Sequence, residues 1–150
     1  KPAHGMLANG DMGDGRMPDE SLLVEYVLRE IACEKDLAGK KVLVTAGPTR
    51  EAIDPVRFIT NHSTGKMGYA VAKAAMLRGA QVTLVSGPVS IPAPPFVEVV
   101  PGGSGQDMFE AVMDRAQEQD MFVMTAAVAD YRPAQVADEK VKKKDGTDTQ

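Results

Sequence analysis

The sequence predicts an α/β fold, a three-layer sandwich in which a mostly parallel sheet lies between helices. Four short, apolar, β-branched runs recur along the 150 residues, and segments with the 3.6-residue period of amphipathic helices lie between them. Apolar residues make up 43% of the chain and charged residues 25%, which is typical of a globular domain with a core of its own.

The first 40 residues come before the first predicted strand of that sheet. Residues 1–18 hold four glycines and two prolines without helix or strand periodicity, and they are predicted to be loop. From Asp19 onward the apolar residues follow helical spacing behind an acidic first turn, and this helix is expected to end near Lys35. Residues 37–40 are expected to be a short linker.

The predicted sheet and its helices follow. The strands are predicted at residues 42–46, 81–86, 96–100 and 121–127. A helix is expected over residues 64–78, followed by Gly79 in a left-handed cap. Ser104 and Asp107 form a capping box before a further helix. The alternation implies parallel strands with right-handed crossovers, a Rossmann-like arrangement. Because the apolar pattern stops after Tyr131, the C-terminal part of the domain is expected to be missing from this chain.

The charge and composition of the chain exclude several classes of function. A net charge of −4 argues against a general nucleic-acid binder, which needs an excess of lysine and arginine. No run approaches the roughly 20 apolar residues that span a bilayer, and residues 1–15 lack the apolar segment of a secretion signal. Without export, Cys33 is expected to be a reduced thiol. We therefore expect a cytoplasmic protein with no nucleic-acid or membrane partner.

Ligands of a doubly wound sheet bind beyond the carboxyl ends of the strands. The loops predicted there are residues 47–68, 86–91 and 126–131. In the first, the 17 residues 47–63 are too many for the glycine turn of a dinucleotide fold, and the spacing before Gly65 does not fit a P-loop. The following helix starts with Ser63, Thr64, Gly65 and Lys66. Free amides and a lysine at a helix start suit a phosphate, and an ordinary N-cap with glycine for close packing is the alternative.

Three other polar positions have two interpretations each. Asn61 is either a turn residue that bonds its own backbone or an amide donor that stabilises a developing oxyanion. Asp130 either contacts a ribose hydroxyl or a hydrated cation, or is a solvated acid. The basic run at residues 140–144 is either a solvated charge cluster or a mobile loop that closes over a triphosphate. His62 is expected to be a surface histidine.

Five segments together resemble a known family. They are VTAGPTRE (44–51), DPVRFITNHSTGKMG (54–68), VTLVSGP (82–88), AAVADYRP (126–133) and KVKK (140–143). In their order and spacing they resemble the phosphopantothenoylcysteine synthetase domain of the bacterial bifunctional coenzyme A protein, over nearly all of residues 40–144. The resemblance implies ligation of 4′-phosphopantothenate to cysteine with CTP through an acyl-cytidylate, with Mg²⁺ held mainly by the CTP phosphates. It also implies a homodimer of synthetase domains within a larger assembly.

The resemblance further implies roles for single residues. Asn61 matches the asparagine that stabilises the acyl-cytidylate, and Lys140 matches the first lysine of a K-x-K-K loop that binds CTP and takes part in the chemistry. Asp130 matches an acid in contact with the nucleotide. The positions matching backbone contacts to the nucleotide are Met124, Thr125 and Ala126. Those matching the phosphate-facing loop are Ser63, Thr64, Gly65 and Lys66.

The N-terminal segment LANGDMGDGRMP (7–18) resembles the substrate clamp of the flavin-dependent decarboxylase domain that precedes the synthetase. That family has a proton-donating cysteine where this chain has Asn9, and an amide does not donate a proton in the same way. Residues 1–38 are therefore expected to be the end of a decarboxylase domain plus linker, without decarboxylase activity. Residues 39–150 are expected to be the N-terminal part of the ligase domain. FMN is expected only in the decarboxylase body, which this chain lacks.

Two rival functions share parts of this pattern. An NAD(P)-dependent oxidoreductase has the same strand–helix alternation, but it needs an acid about 20 residues after its glycine loop. Residues 86–88, Ser-Gly-Pro, occupy that place at the end of the second strand. A nucleotide-binding module with a regulatory or structural role would keep the fold without turnover. The presence of Asn61 and Lys140 favours the ligase.

Overall fold

A computed structural model of the chain describes residues 2–141. Its strands are β1 (Ala3–Met6), β2 (Met12–Arg16), β3 (Lys41–Ala46), β4 (Arg50–Asp54), β5 (Arg57–Thr60), β6 (Gln81–Ser86), β7 (Glu98–Pro101) and β8 (Met121–Met124). Its helices are α1 (Glu20–Ile31), α2 (Lys66–Leu77) and α3 (Gly105–Met113), with a 3₁₀ turn at Ala116–Glu118. No helix within residues 2–141 is long and apolar enough to cross a membrane.

The centre of the molecule is a parallel four-stranded sheet with the strand order β7-β6-β3-β8. In the middle of it, Val42 of β3 pairs with Val82 of β6 on one side and with Met121 of β8 on the other. β3 and β6 have the bounds that the apolar runs predicted, to within one residue. The predicted α/β fold with a parallel sheet between helices is confirmed.

Alternate residues of the two central strands face opposite helices. Val44 and Leu84 pack in the cluster that includes α2, whereas Leu43 and Val85 pack in the cluster that includes α3. All four side chains are completely buried. Burying one such side chain stabilises a fold by about 1.5–3 kcal/mol. Because both faces of the strands are covered, their sequences are continuously apolar rather than alternating.

The prediction of loop for residues 1–18 is wrong. β1 and β2 form an antiparallel hairpin in which His4 pairs with Asp14. At its turn Gly10 has a φ of 88°, a backbone conformation that favours glycine. Most side chains of both strands are exposed or half-buried, so neither face required an apolar alternation. The hairpin therefore has no periodic signal in the sequence.

A second hairpin lies in the stretch between the first predicted strand and its helix. β4 and β5 are antiparallel, and Glu51 pairs with Ile59. All four residues of β5 are exposed, so this hairpin also lacked the alternation that would have predicted it. The stretch from residue 47 to residue 63 is therefore a folded hairpin with connecting turns rather than an open loop.

Several predicted element ends are confirmed or displaced for a local reason. Gly79 has a φ of 93° at the end of α2, and the capping box of Ser104 and Asp107 is formed at the start of α3, both as predicted. β7 begins at Glu98 instead of residue 96, because Phe96 has a φ of 63°, which a strand does not accommodate. β8 ends at Met124, three residues earlier than expected.

Helix α1 lies against α2 without a buried residue of its own. It begins behind the N-cap Asp19, as the acidic first turn indicated, and ends at Ile31, before the expected end near Lys35. Glu25 accepts a hydrogen bond from Lys73 of α2 at 2.7 Å, and the Tyr26 ring meets the Phe96 ring edge-on at 4.6 Å between centroids.

Candidate functional site

Strands β3, β6 and β8 end at one edge of the sheet, and the loops that follow them are in contact there. The Gly87 N–H donates to the Ala46 carbonyl at 2.8 Å, and a side chain at Gly87 would collide with the Pro48 carbonyl. The Ala127 N–H donates to the Gly47 carbonyl at 2.9 Å. The three loops expected beyond the carboxyl ends of the strands are therefore joined by their backbones.

Helix α2 begins at this edge without a side-chain cap. Its N-cap is Gly65, which has a φ of 73°, and no side chain of the described residues caps the helix. The Ser63 hydroxyl accepts from the Gly65 N–H at 3.3 Å. Exposed Thr64 precedes the cap, and exposed Lys66 opens a first turn that has no acid. Unsatisfied amides at the positive end of a helix dipole, beside a lysine, suit an anion.

The glycines of this helix start also permit close packing. A side chain at Gly68 would collide with Ala46 of β3, and a Cβ at Gly65 would lie 2.8 Å from a Val89 methyl group. The sequence left close packing as an alternative role for glycine at this helix start, and the structure shows that packing. It also places the uncapped end of α2 directly beside the end of β3.

Asn61 follows β5 and connects the hairpin to the end of β8. Its Nδ2 donates to the carbonyl oxygens of Ala127 at 3.2 Å and Val128 at 3.1 Å. The side chain therefore bonds a loop 66 residues further along, and not its own turn. Together with Ser63 and Thr64 it lines a cavity of about 430 Å³ at the start of α2. In this geometry the amide nitrogen is already engaged by two acceptors.

The segment Met124, Thr125 and Ala126 is held by Thr45, a buried residue of β3. The Thr45 hydroxyl accepts from the amides of Thr125 and Ala126, both at 3.2 Å, and contacts the Met124 sulfur at 4.0 Å. The Thr125 hydroxyl donates to the Thr45 carbonyl at 2.6 Å and lies beside Gly68 of α2. Thr45 was not predicted, and its signal in the sequence is a hydroxyl within an apolar strand.

The side chains of Asp130 and Lys140 take no part in these hydrogen bonds. Both are exposed, and neither side chain bonds another of the described residues. The remaining lysines of the basic run, residues 142–144, lie outside the described part of the chain. Among residues 2–141, no group of three or more histidines, cysteines and acids is arranged to hold a metal ion.

Asn9 is on the turn of the β1–β2 hairpin, which pairs only with itself among the described strands. Its Nδ2 donates to Asp11 at 2.8 Å, and its side-chain oxygen accepts from the Asp11 amide at 3.2 Å. The structure thus bonds Asn61 to the backbone of residues 127–128 and sets Thr125 beside Gly68 of α2. Among the described residues, no hydrogen bond joins the side chains of Asn9, Asp130 or Lys140 to these groups.

The start of α3 is stabilised by acids. Ser104 accepts from the Asp107 amide at 3.1 Å, and Asp107 accepts from the Ser104 amide at 2.9 Å. The buried Glu51 of β4 accepts from the Gly105 amide at 2.8 Å. Glu51 was not predicted, because its partner is 54 residues away in the sequence and no local pattern links them.

Three comparisons relate the chain to known proteins. Residues 37–150 match the model of the family described as the DNA/pantothenate metabolism flavoprotein C-terminal domain. The coenzyme A biosynthesis bifunctional protein CoaBC of Vibrio vulnificus is 56% identical over 147 residues, which are 98% of this chain and 36% of that protein. The protein of the same name from Escherichia coli K12 is 52% identical over 142 residues. The chain spans 35% of its length.

Solved structures show the same architecture. The crystal structure of the C-terminal domain of a CoaBC protein is 58% identical, with a TM-score of 0.64 over 67% of this chain and 50% of that chain. A Cab2 mutant in complex with phosphopantothenate-cysteine is 17% identical, with a TM-score of 0.61 over 83% of this chain and 58% of that chain. At that identity the second likeness is one of fold alone.

Proposed function

Because the chain belongs to the DNA/pantothenate metabolism flavoprotein C-terminal domain family, we propose that it forms part of the active site of a phosphopantothenate–cysteine ligase. Its relatives are named as coenzyme A biosynthesis proteins. In the proposed reaction, the carboxylate of 4′-phosphopantothenate attacks the α-phosphorus of CTP and releases pyrophosphate. The cysteine amine then attacks the acyl-cytidylate and expels CMP, and the product is phosphopantothenoylcysteine.

The observation that carries this proposal is the uncapped start of α2 beside the carboxyl ends of β3 and β8. Phosphate transfer needs donors fixed where negative charge lies, and such donors cost no reorganisation during the reaction. The first-turn amides and Lys66 supply them, with Ser63 and Thr64 at the rim of the adjoining cavity. The backbone of residues 124–126, fixed by Thr45, lies next to this helix and offers a surface for the nucleotide.

Asn61 has the proposed role of stabilising the acyl-cytidylate. A neutral amide donates to a developing oxyanion without repelling it. In the structure its Nδ2 is shared by the Ala127 and Val128 carbonyls. The proposed role therefore requires at least one of these bonds to be exchanged for a bond to the intermediate. Such an exchange would couple the 127–128 loop to the reaction.

Lys140 and Asp130 are proposed to act on the nucleotide, Asp130 from the loop whose backbone Asn61 bonds and Lys140 from the segment that follows it. Lys140 would neutralise phosphate charge, and Asp130 would contact the nucleotide. Mg²⁺, held mainly by the CTP phosphates, would supply further neutralisation of charge at the α-phosphorus. We also propose a homodimer of synthetase domains as the working assembly.

We propose that the flavin belongs to a different part of the protein. The family name contains the word flavoprotein, but the match covers its C-terminal domain. We propose that residues 1–38 are the end of the flavin-dependent decarboxylase domain plus a linker, and that residues 39–150 belong to the ligase domain. Asn9, on its exposed hairpin, supplies no acidic proton, so we propose that this chain does not decarboxylate.

Pyrophosphate release by the full-length protein tests the function. Release is expected only when CTP, Mg²⁺ and 4′-phosphopantothenate are all present, and it should continue to phosphopantothenoylcysteine when cysteine is added. Release that does not need phosphopantothenate would mean a nucleotide hydrolase. CTP binding without any release would support the nucleotide-binding module. If NADPH or FMN binds to residues 39–150 and CTP does not, the ligase assignment is wrong.

Asn61→Asp tests the assigned role of this amide. A carboxylate in its place cannot donate and repels a phosphate, so the rate of ligation should fall by about 100- to 1000-fold. Asn9→Asp makes the same chemical change on the separate N-terminal hairpin and should leave that rate unchanged. Ligation by the Asn61→Asp variant at the wild-type rate would remove Asn61 from the mechanism.

A further inference from the structure

The turn of the β4–β5 hairpin contains a buried carboxylate. The Asp54 side chain is 0% exposed and accepts five hydrogen bonds. Its Oδ1 accepts from the amides of Val56 at 3.0 Å and Arg57 at 2.8 Å, which closes the turn. Its Oδ2 accepts from the Arg57 guanidinium, with Nε at 3.0 Å and Nη2 at 2.7 Å. Donation by Arg57, with support from the backbone amides, lowers the pKa of Asp54 well below its usual value.

The same two side chains hold a distant piece of backbone. Asp54 Oδ2 accepts from the Val141 amide at 3.1 Å, and Arg57 Nη2 donates to the Val141 carbonyl at 3.1 Å. Both backbone groups of Val141 are therefore bound by one ion pair. Four residues earlier, the Ala137 amide donates to the Ile53 carbonyl at 3.0 Å. Residues 137–141 are thus tied to the hairpin at both ends.

Lys140 lies between those two ties, directly before Val141. We propose that the Asp54–Arg57 pair positions Lys140 by fixing the backbone that carries it, so that Asp54 is a positioning residue for the nucleotide. The inference rests on the proposed function of Lys140. Turn closure alone needs only Oδ1, and it gives no reason for Oδ2 and the guanidinium to converge on Val141. The convergence joins the hairpin that leads to Asn61 with the segment that carries Lys140.

Asp54→Asn separates the two uses of this side chain. The amide oxygen still accepts from the turn, whereas the NH₂ group faces the Arg57 and Val141 donors and cannot accept from them. Asp36→Asn is the matched control, because Asp36 also forms an ion pair with an arginine, Arg78. That pair joins the segment before β3 to the end of α2. In the full-length protein, Asp54→Asn should raise the KM for CTP by about 10- to 100-fold, since small displacements of a charged group cost this much. The KM for cysteine should stay at its wild-type value, and Asp36→Asn should change neither constant.

A second pair of variants leaves the turn untouched. Val141→Pro removes the N–H that donates to Asp54 and also restricts the backbone of Lys140, whereas Val141→Ala keeps the N–H. Val141→Pro should reproduce the rise in the KM for CTP, and Val141→Ala should not. In a Lys140→Ala background, Asp54→Asn should change the KM for CTP by less than about twofold further, because Asp54 acts through Lys140. A wild-type KM for CTP in Val141→Pro, or full additivity with Lys140→Ala, would overturn the proposal.

Amide exchange separates a failure of this proposal from a failure of the ligase assignment. Exchange at the Val141 amide should be at least about tenfold faster in Asp54→Asn than in the wild type or in Asp36→Asn, whatever the protein catalyses. Unchanged exchange would overturn the anchoring of Val141. A second outcome combines faster exchange in Asp54→Asn with a wild type that releases no pyrophosphate from CTP and phosphopantothenate. That outcome would support the anchoring of Val141, but it would reject the ligase function and therefore the positioning role of Asp54.

Discussion

Two helices begin near the carboxyl edge of the sheet, and they satisfy their first turns in opposite ways. α3 begins with a complete capping box of Ser104 and Asp107, and the buried Glu51 carboxylate accepts from Gly105. α2 begins behind Gly65 with no cap from any side chain in the described part of the chain, and the charged residue of its first turn is Lys66. Both helices have the same partial positive charge at this end.

The difference supports the proposal that the two helix starts have different tasks. At α3 that partial charge is satisfied by the chain's own acids, which hold the helix to the β4–β5 hairpin and would repel an incoming anion. At α2 no side chain of the described residues caps the helix, and Lys66 adds positive charge, which suits the proposed phosphate ligand. The hairpin serves both starts, since Glu51 of β4 reaches α3 while Asn61, beyond β5, leads to α2.

The largest effect on stability is expected from a methyl group in the first turn of α2. A Cβ at Gly68 meets the side chain and backbone of Ala46 and the Thr125 hydroxyl, so Gly68→Ala should cost about 3 kcal/mol of unfolding free energy. Gly105→Ala, in the first turn of α3, has its nearest contact at 3.3 Å with the end of the Glu51 side chain and should stay within about 1 kcal/mol of the wild type. Urea denaturation measures both. Equal losses would mean that the two helix starts are equally crowded.

A smaller effect is expected from removing the hydroxyls at the two starts. Ser104→Ala deletes the α3 cap and should cost about 1 kcal/mol. Ser63→Ala removes a 3.3 Å contact to Gly65 and no cap, so it should stay within about 0.5 kcal/mol. The midpoints of thermal unfolding compare the two variants. If Ser63→Ala cost as much as Ser104→Ala, α2 would have to be counted as a capped helix.

The smallest effect on stability is expected from Asp54, in the hairpin that joins the two helix starts. Protonation of this carboxylate should matter only at acidic pH. The folded pKa of Asp54 is lowered by Arg57 and by backbone amides, so the unfolded chain takes up a proton first as the pH falls. The Asp54 contribution should be complete above about pH 4, near the ordinary aspartate pKa, and should be lost as the pH falls further toward the folded value. Below about pH 4, the wild type should therefore lose stability more steeply than Asp54→Asn. Parallel curves of unfolding free energy against pH would contradict the lowered pKa.

The parts of the fold that bury apolar surface were predictable from the sequence. β3, β6, the Gly79 turn and the α3 capping box each have a local signal, either an apolar run or a residue suited to one backbone position. The two hairpins lack such a signal because their faces are largely exposed, and both were missed. Pairing between exposed strands depends on backbone hydrogen bonds, to which the identity of the side chain contributes little.

The position of the candidate site was predictable in part, and its contacts were not. The strand ends and the helix start at residues 63–66 follow from the alternation of elements. The bonds from Asn61 to Ala127 and Val128, from Thr45 to the segment after β8, and from Asp54 to Val141 join residues 66 or more positions apart. No spacing within one element reports contacts of that kind, so they required the structure.

Hydrogen exchange at the two helix starts, with and without CTP and Mg²⁺, tests the central claim most directly. In the free full-length protein the amides of Lys66 and Met67 should exchange fast, because no side chain among residues 2–141 caps them. Gly105 and Asp107 should exchange slowly because acceptors hold their amides. Addition of CTP should slow exchange at Lys66 and Met67 and leave Gly105 and Asp107 unchanged. Protection by CTP at the start of α3, or at neither start, would contradict the assignment of α2 to the phosphates.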